Sequence, residues 1–208
     1  MRLPVPTPTA DPLPFEELKE RSEETRVSVP LRSDAVARFD ALLHELNPDA
    51  PRADPDRIQR LANWLVTLPD DTASDVLDRR LHRINELRAM LDDPDWDADD
   101  ATRSRLEKLL GYIDRDDGLI SDHEPLLGLL DDVLLIELAW PAFAEEAEEY
   151  RDFSAYRSDE HPAGSGGEQR AAWLQDRLAE IGLLQHQLRV NDSHYVQRGQ
   201  PEQMFRVG

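Results

Sequence analysis

The fifteen residues from Leu126 to Trp140, LLGLLDDVLLIELAW, constrain this chain more than any others. They are overwhelmingly apolar, yet Asp131, Asp132 and Glu137 interrupt them, with Asp122 just upstream. A surface helix carries more polar positions than this, and a membrane span carries fewer acids. Burying the large side chains contributes about 1.5–3 kcal/mol each, so the segment predicts a core helix. The acids inside it need partners, because an unpaired buried carboxylate is costly or takes up a proton. The pattern speaks to fold and names no reaction.

The surrounding residues carry a longer pattern. Leu119-Ile120 is followed by Asp122, then by Pro125 and Gly128, then by Leu130-Asp131-Asp132 and the apolar run to Leu138. Downstream stands Glu149-Tyr150-Arg151-Asp152-Phe153. These residues resemble the YkvA family, a bacterial and archaeal group whose shared segment has no established function. The resemblance covers residues 112–157. It departs from the family at Ser121, where proline is usual, and at Gly118 or Asp117, which occupies the place of an acid before the Leu-Ile pair. It implies a fold module and no activity.

Length and charge set the remaining bounds. A chain of 208 residues suits one domain, or one domain with appendages. Its 44 acids outnumber 24 bases to leave a net charge of −20. That surface repels DNA, RNA and anionic lipid, so no nucleic-acid partner is expected and peripheral membrane contact is disfavoured. The acidity reads as a solubility device or an adaptation to salty cytoplasm, or else as a face for a basic partner. Lys19 and Lys108 are the only lysines, and no cysteine is present, which excludes disulfides, thiolate metal sites and cysteine nucleophiles. Met1-Arg2-Leu3-Pro4-Val5-Pro6 has no apolar signal-peptide core, and no run is long and apolar enough for a transmembrane segment. The expected setting is cytoplasmic.

The order of segments predicts an all-α, irregular multi-helix bundle with a proline-rich N-terminal arm and a polar C-terminal tail. Residues 1–30 hold Pro4, Pro6, Pro8, Pro12, Pro14 and Pro30 and read as an arm packed on the body or on a neighbour, with a short helix from Phe15 to Arg26. Residues 31–95 read as a three-helix region. Ser33 is the expected cap of the first helix, Asp54-Pro55 opens the second, and Thr72 or Ser74 opens the third. Leu77, Leu81, Ile84, Leu87 and Leu91 form the stripe of the third. Residues 96–157 read as the YkvA-like core, with Pro141 dividing one helix ending near Ala139 from another running to Tyr156. Residues 158–167 read as a flexible linker by composition. Residues 168–208 hold a last helix, about 168–190, and the tail. The seam of that helix, Ala171, Leu174, Leu178, Ile181 and Leu188, is broken by Gln185. It is expected to meet one other helix, preferably by folding back on the first three and otherwise in a second copy.

The candidate chemistry lies in the acids. Asp122, Asp131 and Asp132, if a turn brings them together, offer the carboxylate oxygens that magnesium or calcium prefers. Glu137, His123 and Glu124 complete this constellation. The competing reading is structural, with Asp122 holding backbone N–H groups in a turn and Asp131 and Asp132 favouring a helix N-terminus. The histidines have no zinc-protease spacing, no serine sits in a nucleophile elbow, and Gly164-Ser165-Gly166-Gly167 lacks the lysine of a phosphate loop. Trp64, Trp96, Trp140 and Trp173 read as core or interface anchors. No catalytic residue and no cofactor is expected. The expected function is a non-catalytic protein-interaction or scaffold module, with self-association or a protein partner through the 168–190 helix. The alternative is a divalent-metal-dependent enzyme hydrolysing a phosphoester with Asp122, Asp131 and Asp132.

Overall fold

The computed structural model describes residues 12–16, 18, 27–115, 118–120 and 126–196, with side chains as far as Asn191. Among them are seven α-helices: α1 Ser33–Leu46, α2 Pro55–Leu65, α3 Asp70–Asp92, α4 Asp100–Ile113, α5 Leu130–Ala139, α6 Ala144–Glu160 and α7 Gly166–Val196. Two 3-10 turns, Leu127–Leu129 and Trp140–Ala142, flank α5. No strand occurs among the described residues. The architecture is all-α, as the sequence predicts.

Helix boundaries follow local chemistry. Asp54 caps α2 by accepting the Arg57 N–H at 2.9 Å, and Pro55 fills the first turn, where no N–H is needed. Asp99 caps α4 through the Thr102 N–H at 2.8 Å. Two expected starts shift. Ser33 is the first residue of α1, with Arg32 in the cap position and making no side-chain cap bond. α3 opens at Asp70 rather than Thr72 or Ser74, because Pro69 both ends the preceding turn and serves as its cap. Asp70 and Asp71 then meet the positive end of the α3 dipole.

The described residues fall into two compact units, divided between Asp152 and Phe153 within α6. In the first, α5 is the centre and packs against α1, α3 and α4. Val133, Leu134, Leu135 and Ile136 are all buried, so α5 has no solvent face along that stretch. The side-chain amide of Asn47, just past α1, donates to the Leu138 carbonyl at 2.8 Å and satisfies an end that α5 cannot satisfy itself. Pro141 divides the helices as expected, though the chain crosses a 3-10 turn before α6 begins. Trp96 is a core anchor, buried edge-on against Tyr150 with its N–H donated to Glu146 at 2.9 Å.

The described part of the N-terminal arm lies on the first unit. Leu13 and Phe15 are buried. Gln59 of α2 accepts the Val29 N–H at 2.9 Å and donates to the Val27 carbonyl at 2.8 Å, and Asn63 accepts the Val27 N–H at 3.0 Å. These two amides, one turn apart, do for an extended segment what a neighbouring strand does in a sheet. The short helix expected from Phe15 to Arg26 lies largely outside the described residues.

In the second unit the order along the chain exceeds what composition suggests. α6 continues to Glu160 and α7 begins at Gly166, which leaves only 161–165 between them. Glu168 accepts the Ser165 N–H at 2.7 Å and the Ser165 hydroxyl at 2.9 Å, and Gln169 donates to the Pro162 and Gly164 carbonyls. Ser165-x-x-Glu168 thus supplies the carboxylate half of a capping box at the start of α7. Gly164 sits at φ 104°, a conformation that glycine adopts freely. Phe153 and Trp173 are buried with ring centroids 5.5 Å apart, and the Arg157 guanidinium lies 4.5 Å over the Phe153 ring.

Candidate functional site

Asp131 stands in the first turn of α5 and is 3 % exposed. Its Oδ2 accepts the Leu119 N–H at 2.7 Å and the Ile120 N–H at 3.4 Å. One carboxylate oxygen thereby satisfies two buried backbone donors twelve and eleven residues upstream, and ties the 118–120 segment to the core helix. Gly118 is part of the same clasp. A Cβ there would stand 2.5 Å from Asp131 Oδ2, closer than real Cβ contacts come. Glycine at 118, where the family resemblance places an acid at this position or the one before it, has its physical reason in that approach.

Glu137, one and a half turns along α5, answers two arginines. Its Oε2 receives Arg80 Nε at 3.1 Å and Arg83 Nη1 at 2.9 Å, while Oε1 receives the Leu13 N–H at 3.1 Å. Arg80 is 2 % exposed and also donates to the Val76 carbonyl at 2.8 Å. Burial pulls its guanidinium below the usual arginine value, against the opposing pull of Glu137. Arg83 lies 4.9 Å over the Trp140 ring. The cluster joins α3, α5 and the arm through one carboxylate. Sequence reasoning placed Leu81 in the buried stripe of α3; Arg80 is buried there instead, with Ala73, Leu77, Ile84 and Leu87. Both registers fit the spacing of leucines. The signal that separates them is Glu137, an acid in an apolar run that demands a buried base.

The three metal candidates fare differently. Asp131 is engaged as described. Asp132 lies beside it in the first turn of α5 and is half-buried. Asp122, with His123 and Glu124, lies outside the described residues. Among the described residues no group of three His, Asp or Glu side chains is placed to share an ion.

α7 presents the second feature. Leu174, Leu178, Ile181, Leu184 and Leu188 are 45, 68, 48, 45 and 58 % exposed. The three- and four-residue steps of the predicted seam reach Gln185, whereas the structure exposes its neighbour Leu184. No described helix is long and apolar enough to cross a membrane. Comparison of the chain with protein-family models, curated proteins and solved structures found no match.

Proposed function

We propose that the protein is a non-catalytic, cytoplasmic protein-interaction module of the YkvA type, acting through the apolar face of α7. The observation that carries this reading is the exposure of seven large aliphatic side chains along one helix, Leu183 and Val190 besides the five on a common face. Contiguous apolar surface of that kind marks a binding face in a chain that is otherwise highly charged. The charge of −20 supports a protein partner over nucleic acid or anionic lipid. The YkvA resemblance over 112–157 fits the same reading, since Leu119, Ile120 and Asp131, three of the residues that carry it, hold each other through backbone bonds.

The alternative, phosphoester hydrolysis with a divalent ion on Asp122, Asp131 and Asp132, draws on an Asp131 whose Oδ2 already accepts from two buried N–H groups. Titration calorimetry with magnesium, manganese and calcium separates the two. The interaction reading predicts no saturable heat at sub-millimolar concentration. Binding in that range, lost in Asp131→Asn, overturns it in favour of the metal enzyme.

A further inference from the structure

The apolar face of α7 is symmetric about the helix midpoint. α7 spans Gly166–Val196, so Ile181 is its central residue. Four exposed leucines stand three residues (Leu178, Leu184) and seven residues (Leu174, Leu188) to either side of it, while the exposed Leu183 lies on the opposite face. At 3.6 residues per turn Ile181 and those four fall on one face. A strip that reads the same in both directions is what an antiparallel two-fold pair needs, because every contact in it is made twice. Setting Ile181 against Ile181 of a second copy puts Leu174 against Leu188 and Leu178 against Leu184.

The distribution of charge points to the same occupant. Residues 168–208 hold five acids and five arginines, so they are neutral and the entire −20 lies in residues 1–167. The helix with the exposed face is therefore in the one part of the chain that a second copy does not repel.

Resting on α7 as the interaction face, we propose that its partner is a second copy of this chain, bound antiparallel about a two-fold axis at Ile181. Light scattering on the full chain at tens of micromolar should give twice the chain mass of 23.8 kDa. Ile181→Glu, which sets two carboxylates face to face on the axis, should return it to the single mass with far-UV helicity unchanged. Because the chain has no cysteine, near-isosteric cysteine variants report the orientation independently. Under mild oxidation Ile181→Cys should cross-link to itself, whereas Leu174→Cys and Leu188→Cys should cross-link only when mixed. A monomer with its helices intact overturns the proposal and assigns the face to a different protein, leaving the interaction reading in place. Self-cross-linking of Leu188→Cys overturns the antiparallel arrangement. Divalent-ion binding through Asp131, by contrast, removes the interaction reading itself.

Discussion

Replacing Asp131 with alanine strands the Leu119 and Ile120 N–H groups in the core, where no water replaces the lost acceptor. Unsatisfied buried donors cost about 1–3 kcal/mol, so Asp131→Ala should lower stability by about 2 kcal/mol in urea unfolding. Gly118→Ala should also destabilise, since its Cβ would press on the same oxygen. The two effects should not add. In an Asp131→Ala background the obstacle is gone, and Gly118→Ala should cost clearly less than it does alone; equal costs in both backgrounds would disprove the clasp. Glu137→Ala removes a carboxylate to which the buried Arg80 donates. Removing one partner of such a pair costs about 3–5 kcal/mol, which should exceed the loss from Arg83→Ala, because Arg83 is the more exposed arginine. A smaller loss from Glu137→Ala than from Arg83→Ala would show that Arg80 does not depend on this carboxylate.

At the scale of elements, the sequence was most legible where chemistry is local. Asp54-Pro55 marks the start of α2, Pro141 divides α5 from α6, and the apolar run of α5 predicts its burial on all sides. What was illegible depends on partners distant in sequence. Arg80 belongs to the stripe of α3 only because Glu137, fifty-seven residues on, receives it. Asp131 stands in the first turn of α5, and its donors, Leu119 and Ile120, cannot be found from helix-cap rules. Glycine content over 164–167 predicts a linker, whereas Ser165-x-x-Glu168 carries the signal for the start of α7. Its effect should be local. The Ser165 N–H and hydroxyl hold the Glu168 carboxyl below the usual glutamate range, and Glu168→Ala should speed amide exchange in the first turn of α7 while leaving α5 unchanged.

For the whole molecule, the many acids make stability depend on pH in a direction that the bonded ones set. Burial pushes the Asp40 carboxyl up, but the Ala53 N–H, the Arg52 guanidinium and His44 outweigh it and hold it below the usual aspartate range. The Thr102 N–H and hydroxyl do the same for Asp99, and the Arg88 guanidinium for Asp114. A depressed folded-state pKa means that the unfolded chain binds more protons in acid. The stability these groups contribute is fully present above the ordinary aspartate value of about 3.9. It is lost as pH falls through the lower folded values. The urea midpoint should therefore drop as pH falls from about 4 through the lower folded values, and Asp40→Asn should flatten part of that slope; a midpoint that rises toward acid would contradict the assignment.

The same distribution of charge leaves 168–208 neutral, and the account as a whole turns on whether the face of α7 works by being covered. Hydrogen exchange followed by mass spectrometry over a range of protein concentrations tests this most directly. Amides from about Arg170 to about Val190 should exchange more slowly as concentration rises, while those of α5, already enclosed by α1, α3 and α4, should not change. Exchange in α7 that is independent of concentration across the micromolar range would contradict the account.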